Sequence, residues 1–322
     1  MMADAGRTRL IFIAANPSID RLYEVEHLTE GTIHRPSVLV ARPGGKGLNA
    51  ARAAAALGAR VTALGIVAGR SGEWIVEQLA KIGIDALMAR STGETRICIS
   101  ILDRSTGLLT ELYERGQRIE PTAWEALEAL VAHELDRADV GALAFSGSLP
   151  PGAPTDGYAR IARIAARSSV PVLADTYGPA LRAVLREHPV VLKVNATEAA
   201  DATGLTINDG QSAAAAARAL REQGAIGVVV TLGMGGAVVV GATCEARLGP
   251  PDLRGAYPVG SGDAFLAGLA VALVDGETLE EAARRGMAAA IANALLPGAG
   301  SLDRAAAERV LPDVAITASW PR

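Results

Sequence analysis

The amino-acid sequence predicts an α/β protein whose mostly parallel central sheet is covered by helices on both faces. The main observation is that short apolar runs alternate with helical segments along most of the chain, as in consecutive βαβ units. A second observation is a hairpin pattern near residues 96–113, which interrupts this alternation. Together they predict one three-layer α/β/α domain over residues 1–322, with a small β-rich lid inserted into it.

The first third of the chain is predicted to supply early strands of the sheet and the whole lid. Residues 10–14 are an apolar run that ends at Asn16-Pro17, which is typical of a strand followed by a turn. Extended segments, among them 32–40, and the hairpin predict that the lid is formed from about residues 18–43 and 95–115. The other elements predicted here are helices at 48–57 and 73–82 and a strand at 61–67.

The rest of the chain is predicted to follow the alternation of strand and helix. A capping box from Thr122 to Glu125 marks the start of a helix that continues to about residue 135. Strands are predicted at 140–145, 170–174, 190–194, 226–232 and 237–240. Helices are predicted at 156–167, 179–186, 212–223, 262–274, 279–285 and 287–296.

The composition argues against several classes of partner. Lys and Arg number 31 against 35 Asp and Glu, and no basic block stands out, so neither nucleic acid nor an anionic membrane is expected to bind. Aromatic residues make up only 3% of the chain, which argues against stacking platforms for single-stranded nucleic acid. Any anion that binds should therefore be small and held by a few placed groups.

The cysteines and the N-terminal segment indicate a cytoplasmic location. Cys98 and Cys244 lack the spacing of metal ligands and are predicted to be small buried residues in a reducing compartment. Residues 1–9 carry charges but no apolar signal-peptide core. The longest uncharged stretch, 225–244, is interrupted by glycines and predicts two strands and a turn rather than a membrane helix.

The segment Gly260-Ser261-Gly262-Asp263 gives the strongest indication of chemistry. Small residues let the backbone approach an anion, and the helix predicted to begin here directs free N–H groups to the same place. The same residues would also suit an acidic cap at a helix start. Three small residues exceed what a cap needs, however, and an anion hole beside a carboxylate is what phosphoryl transfer uses. The standard P-loop, dinucleotide-binding and zinc-protease motifs are absent.

This segment resembles the C-terminal signature of the ribokinase/PfkB carbohydrate kinases, and other motifs of that family follow in the right order over about residues 10–305. They are Asn16-Pro-Ser-Ile-Asp20, Pro43-Gly-Gly-Lys-Gly-Leu-Asn49, Thr95-Arg96, Ser146-Gly-Ser-Leu-Pro-Pro-Gly152, Asp175, Lys193-Val-Asn195-Ala-Thr-Glu198 and Thr231-Leu-Gly233. The set is most similar to the 1-phosphofructokinase and tagatose-6-phosphate kinase branch. The resemblance implies a ribokinase-like fold, ATP and Mg²⁺ as cofactors, and a sugar-phosphate substrate.

The resemblance also implies a role for each matched residue. It makes Asp263 the catalytic base, with the backbone at Gly260, Ser261 and Gly262 holding the transferred phosphoryl group. The implied substrate contacts are Asp20, Gly44, Gly45, Lys46, Asn49, Arg96, Ser146 and Arg35. Lys46 and Arg96 would hold the phosphate already on the sugar, because ammonium and guanidinium groups both suit a phosphate. Taken singly, these residues would also fit turns or a solvated surface.

At the nucleotide end, the resemblance implies a second set of contacts. Those with ATP are Lys193, Asn195, Thr231, Gly233, Gly236 and Asn293. Glu198 would lie near the magnesium ion. Independently of the family, the spacing of Asn195 and Glu198 is that of a capping box at the start of a helix.

Two departures from the family pattern, Cys98 and Arg115, are expected on the substrate side and leave the sugar open. The candidates are fructose 1-phosphate, fructose 6-phosphate and tagatose 6-phosphate. Three functions stay open: a kinase of such a hexose phosphate, a kinase of a free sugar or nucleoside, and a sugar-phosphate-binding protein without catalysis. A homodimer formed through the exposed edge of the lid sheet is a further expectation.

Overall fold

The computed structural model describes residues 8–187, 189–253 and 255–318. Residues 1–7, which form most of the segment on which the expectation about a signal peptide depends, lie outside the described part of the chain. No helix within the described ranges is long and apolar enough to cross a membrane.

The strands form one large and one small sheet. In chain order they are β1 (Arg9–Ala14), β2 (Ser18–Val25), β3 (Val38–Gly44), β4 (Arg60–Ala68), β5 (Asp85–Ser91), β6 (Ile97–Asp103), β7 (Leu109–Tyr113), β8 (Val140–Ser146), β9 (Val172–Asp175), β10 (Val191–Asn195), β11 (Gly227–Thr231), β12 (Ala237–Val240), β13 (Glu245–Gly249) and β14 (Ala315–Ala318).

The large sheet has the order β14-β13-β12-β11-β10-β9-β8-β1-β4-β5. The strands from β11 to β5 are parallel to their neighbours, whereas β12, β13 and β14 add an antiparallel edge. The interior strand β1 is buried along its whole length, as expected of a parallel strand covered on both faces. The predicted α/β class with a mostly parallel sheet is therefore confirmed.

Helices cover both faces of this sheet. They are α1 (Lys46–Ala56), α2 (Gly69–Lys81), α3 (Pro121–Leu135), α4 (Gly157–Arg167), α5 (Gly178–Glu187), α6 (Ala196–Thr203), α7 (Gly210–Glu222), α8 (Ser261–Val274), α9 (Leu279–Ala294) and α10 (Arg304–Val310). One apolar core lies between the sheet and α3, α4, α5, α6 and α7, and the other between the sheet and the remaining helices. Helix α8 is apolar almost all round and largely buried, so it gives its N-terminus a rigid support.

The small sheet has the order β3-β2-β6-β7 and forms the predicted lid. Strands β2 and β6 are parallel, and the two outer pairs are antiparallel. Side chains alternate between the two faces of such a sheet. One face, which includes Asp20, Leu22 and Cys98, is turned toward the large domain, and the other is exposed. The lid strand that was expected to begin at residue 32 begins only at Val38.

Three further differences from the sequence predictions have physical causes. The capping box at Thr122 is not formed, because Glu120 is the N-cap residue and the helix begins at Pro121, whose ring is suited to a first helical position. The two helices predicted after residue 279 are one helix, α9, in which Gly286 packs against the Phe265 ring without a break. Strands β5, β13 and β14 were not predicted; β5 is an edge strand with a largely polar, exposed face.

Candidate active site

The candidate site lies at the carboxyl edge of the large sheet. Four neighbouring parallel strands each end there on a residue taken from the sequence motifs: β8 at Ser146, β9 at Asp175, β10 at Asn195 and β11 at Thr231. The carboxyl ends of adjacent parallel strands meet at one edge, which is where open α/β sheets bind their ligands. The topology therefore brings together residues that are far apart in the chain.

A cleft of about 1410 Å³, open to solvent, separates this edge from the lid. The predicted site residues that line it are Asp20, Gly45, Lys46, Asn49, Arg96, Ser146, Lys193, Asn195, Thr231, Gly233, Gly260, Gly262 and Asp263. Those that do not line it are Gly44, Arg35, Gly236, Ser261, Asn293 and Glu198. Most of the predicted set thus converges on one cavity.

The turn before α8 is fixed by a glycine in the left-handed region. Gly260 has a φ of 82° and immediately precedes the first residue of the helix. A Cβ atom at this position would lie 2.5 Å from the backbone nitrogen of Gly300. Any other residue would therefore be strained both by its backbone conformation and by this contact.

Two backbone N–H groups at the start of α8 are available to an anion. The N–H of Ser261 donates to the carbonyl of Pro258 at 3.2 Å, so this amide is already used by the turn. Within the described residues, no hydrogen bond engages the N–H groups of Gly262 and Asp263. Of the backbone N–H groups predicted to bind an anion, these two remain available, and they lie at the positive end of the helix dipole.

The carboxylate of Asp263 lies in the first turn of α8 and is only 5% exposed. Its Oδ2 accepts a hydrogen bond from Asn49 Nδ2 at 3.0 Å. The same amide nitrogen is 3.4 Å from Oδ2 of Asp20, which lies on the lid. Asn49 in turn accepts a hydrogen bond on Oδ1 from Arg52. Asn49 therefore joins the predicted base to the predicted substrate-binding carboxylate.

Two lysines enclose a buried carboxylate at the end of β9. Lys193 Nζ lies 2.6 Å from Asp175 Oδ2, and Lys46 Nζ lies 3.4 Å from Asp175 Oδ1. Lys46 Nζ also lies 3.3 Å from Glu198 Oε1. The Lys193 ammonium passes close to Gly262, since a Cβ at that glycine would lie 3.0 Å from Nζ. The chain of alternating charges thus ends beside the free amides of α8.

The pKa values of these groups follow from their neighbours. Burial would raise the pKa of the Asp175 carboxyl, but the Lys193 and Lys46 ammonium groups outweigh burial and lower it. Burial likewise opposes the charge on Lys46, yet Asp175, Glu198 and Asp263 raise the pKa of this lysine well above its ordinary value. The Asp175 carboxylate and the Lys46 ammonium are therefore both charged at neutral pH.

The pKa of Asp263 is shifted in the opposite direction from that of Asp175. Burial raises the pKa of its carboxyl to about 7; Lys46 opposes this rise and Asp175 adds to it. A pKa close to neutrality is what a general base requires, because the group is then both deprotonated and basic enough to accept a proton. The environment, rather than the residue type alone, makes Asp263 suited to this role.

Asp20 is held in place by groups from the lid and from the start of α1. Its carboxylate accepts hydrogen bonds from Ser18 Oγ at 2.5 Å and from the N–H of Gly45 at 3.4 Å. A Cβ on Gly44 would lie 2.0 Å from Asp20 Cγ, so this glycine makes room for the carboxylate. Gly44 therefore serves the site by its size, although it does not line the cleft.

The two predicted arginines of the lid are placed differently. The Arg96 guanidinium lines the cleft but donates to the backbone carbonyls of Pro17, Glu114 and Asn16 at 3.4, 3.2 and 3.0 Å. These bonds tie the lid to the end of β1. Arg35 is exposed in the segment between β2 and β3 and does not line the cleft.

The part of the site where the nucleotide is expected begins at the capping box of α6, which forms as predicted. The Asn195 side chain accepts from the Glu198 N–H, and the Glu198 carboxylate accepts from the Asn195 N–H. Asn195, Thr231 and Gly233 line both the main cleft and a second, adjoining cavity of about 1110 Å³. This second cavity extends the site away from Asp263, as the binding of a long nucleotide requires.

Two residues expected at the nucleotide lie behind the surface instead. Asn293 is fully buried, and its Nδ2 donates to the Val259 carbonyl at 3.0 Å and to Ser261 Oγ at 3.3 Å. It therefore supports the turn before α8. Gly236 has a φ of 93°, and a Cβ there would lie 2.0 Å from the Leu248 carbonyl oxygen, so it lets two strands approach closely.

Several residues that help to form the site have no role predicted from the sequence. Asp175 appeared only as a matched position, although a carboxylate at the end of a buried strand could have indicated its role. Tyr177, whose ring centre is 5.9 Å from Lys46 Nζ, also lines the cleft. Arg42 and Arg52 belong to no recognised motif, and only the sheet register brings Arg42 to the cavity.

The two departures from the family pattern lie in different environments. Cys98 is buried on the inner face of the lid, and burial raises the pKa of its thiol. It lines the cleft and is positioned to contact a substrate. Arg115, by contrast, is exposed and does not line the cleft.

Comparisons with known proteins agree with this geometry. Residues 14–305 match the model of the pfkB family carbohydrate kinases. A tagatose-6-phosphate kinase from Staphylococcus epidermidis is 31% identical over 297 residues, which cover 91% of this chain and 94% of the relative. A 1-phosphofructokinase from Xanthomonas campestris pv. campestris is 34% identical over 280 residues, which cover 85% and 87%.

The chain belongs to the pfkB family of carbohydrate kinases. The resemblance predicted from the sequence motifs is therefore confirmed. Among solved structures, phosphofructokinase-2 from Escherichia coli in complex with fructose-6-phosphate is 25% identical and has a TM-score of 0.85. That match covers 96% of this chain and 99% of the other.

A pH profile tests the role of Asp263 in this kinase. Because a base must be deprotonated to accept a proton, kcat/KM for the acceptor should fall about tenfold per pH unit below about pH 7 and level off above it. Steady-state kinetics with saturating nucleotide would measure this midpoint. In Lys46→Met the midpoint should move to higher pH, since Lys46 opposes the raised pKa. A profile that is level from pH 5 to 9 would contradict the assignment.

Proposed function

We propose that this carbohydrate kinase transfers the γ-phosphoryl group of ATP to a hydroxyl group of a hexose phosphate. The observation that carries the proposal is the buried Asp263 carboxylate beside two free amides, joined through Asn49 to the substrate-binding Asp20. The names of the relatives, tagatose-6-phosphate kinase and 1-phosphofructokinase, support a phosphorylated hexose as acceptor. The expected acceptors are fructose 1-phosphate, fructose 6-phosphate and tagatose 6-phosphate.

In the proposed reaction, the acceptor hydroxyl lies between Asp20 and Asp263. Asn49 occupies Oδ2 of Asp263, so Oδ1 is left to accept the proton of the hydroxyl. The bond from the acceptor oxygen to the γ-phosphorus forms as the bond to the bridging oxygen of ADP breaks. The Gly262 and Asp263 amides and the Lys193 ammonium stabilise the charge on the transferred group.

The residues of the site fit a magnesium ion that is held mainly by the nucleotide. The described residues contain no group of three or more His, Cys, Asp or Glu side chains that could enclose a metal. Mg²⁺ usually keeps several waters and binds phosphate oxygens together with one or two carboxylates. Glu198, beside Lys46, is the carboxylate we expect to lie near it. When bound, the ion neutralises charge on the nucleotide phosphates.

The substitution Asp263→Asn tests the proposed mechanism. The amide is close in size to the carboxylate but cannot accept the proton, so kcat with a hexose phosphate should fall by roughly 10³-fold or more. ATP binding, measured by titration calorimetry, should stay within about threefold, because the amides and Lys193 are retained. Turnover within tenfold of the wild type would rule out Asp263 as the base.

We also propose that two copies of the chain associate through their lids. The outer face of the lid carries Leu39, Tyr23 and Ile101 in one row of paired strands, and Ile99 pairs with Leu112 in the next. Leu39 and Leu112 are 63% and 57% exposed. An exposed apolar sheet face with open edge strands is an expected association surface.

The double variant Leu39→Glu/Leu112→Glu tests this association. The wild type should sediment as a dimer in analytical ultracentrifugation, and the double variant as a monomer, because like charges would meet in the paired lids. Ile82→Glu provides the control, since Ile82 is 52% exposed at the end of α2, outside the lid. A monomeric wild type, or a double variant that remains dimeric, would contradict the proposal.

A further inference from the structure

Arg42 lies in a cavity that continues the main cleft under the lid. It is paired with Asp20 across strands β2 and β3, so both side chains are on the inner face. Asp20, Cys98, Tyr113 and Val259 line both the cleft and this cavity. A ligand that reaches Asp20 can therefore extend to Arg42.

The guanidinium of Arg42 has no partner among the described residues, whether by hydrogen bond or by ion pair. Its cross-strand neighbour Asp20 instead accepts from Ser18, Gly45 and Asn49. Burial lowers the pKa of the Arg42 guanidinium. A half-buried cation without a counter-ion is costly to desolvate, and a bound anion would offset that cost.

A second arginine increases the positive charge at this place. Arg52 is 6% exposed, and burial together with the neighbouring Arg42 charge lowers its pKa to about 10. Its nitrogens donate to the carbonyls of Pro43 and Ala299 and to Asn49. In the described part of the chain, no carboxylate forms an ion pair with either arginine. The Arg42 and Arg52 charges thus repel each other, and the Asp20 and Asp263 carboxylates offset this effect on Arg52 only in part.

Arg96, for which the family resemblance implies contact with the phosphate of the substrate, is in the opposite situation. Each of its three guanidinium nitrogens already donates to a backbone carbonyl. Its charge is partly solvated by these carbonyls, and its orientation is fixed by the end of β1. Arg42, in contrast, keeps its whole fork of donors for a ligand.

We propose that Arg42 binds the phosphate that the acceptor already carries, and that it thereby selects sugar phosphates over free sugars. This assignment rests on the proposed function. One guanidinium can donate two parallel hydrogen bonds to a phosphate, and the dianion would neutralise the combined charge of Arg42 and Arg52. Asp20 and Asn49 then hold the sugar hydroxyls between this phosphate and Asp263.

Steady-state kinetics of matched arginine variants test the assignment. With fructose 1-phosphate, fructose 6-phosphate and tagatose 6-phosphate as acceptors, Arg42→Ala should lower kcat/KM by about 100-fold or more and leave KM for ATP unchanged. Arg42→Lys should recover part of this loss, since the charge remains but the fork does not. Arg90→Ala, at an exposed position on β5, is the control and should match the wild type.

The remaining outcomes separate this assignment from its alternatives. The melting temperature of Arg42→Ala should not fall, because the substitution removes repulsion with Arg52; a large fall would indicate a structural role and overturn the assignment. If Arg42→Ala has unchanged kinetics and Arg96→Ala is strongly impaired, then Arg96, and not Arg42, binds the phosphate of the acceptor. A wild type that phosphorylates free sugars but no sugar phosphate would overturn the proposed function itself.

Discussion

The buried carboxylate of Asp175, enclosed by Lys193 and Lys46, is the interaction on which the rest of the site depends. A carboxylate with no exposed surface is stable as an anion only if it is paired, and a buried lysine beside an anion hole needs a counter-charge in turn. Each ion thus makes the position of the others possible. The result is a fixed ammonium next to Gly262 and a second one near Glu198.

The charged groups of the cleft lie in different places according to their proposed roles. The two lysines lie toward the end of the cleft proposed for the nucleotide, where phosphate charge must be held during transfer. Asp263 is close enough to them to be stabilised in part, yet buried enough for its pKa to stay near 7. Arg42 and Arg52 lie at the other end, under the lid, where the Asp20 and Asp263 carboxylates offset the charge of Arg52 only in part. Two anionic groups could therefore be held on opposite sides of one hydroxyl.

The sequence contained enough information for the fold and for the motifs of the site, but not for the orientation of each side chain. Alternation of strands and helices predicted the sheet, and the glycines around Asp263 predicted a turn that approaches an anion. The sequence could not show that the Ser261 amide is used by its own turn, or that Asn293 lies behind the site. Those facts depend on contacts between distant segments.

Lys46 and Arg42 both show that a sequence motif does not determine which groups a side chain contacts. Lys46 belongs to a clear motif, but its ammonium lies on Asp175 and Glu198, 129 and 152 positions further along the chain. Arg42 belongs to no motif, yet the pairing of β3 with β2 places it beside Asp20. Local patterns identify which residues come near a ligand, whereas register and packing decide which group each one faces.

The most direct test of the account is a coupled ADP-release assay in which the wild-type kinase meets phosphorylated and free sugars side by side. We predict that at least one of fructose 1-phosphate, fructose 6-phosphate and tagatose 6-phosphate is used with a kcat/KM about 100-fold or more above that of free fructose, tagatose or ribose, because charge-assisted hydrogen bonds to the phosphate are lost with a free sugar. A preference for a free sugar, or no ADP release with any hexose phosphate, would contradict it.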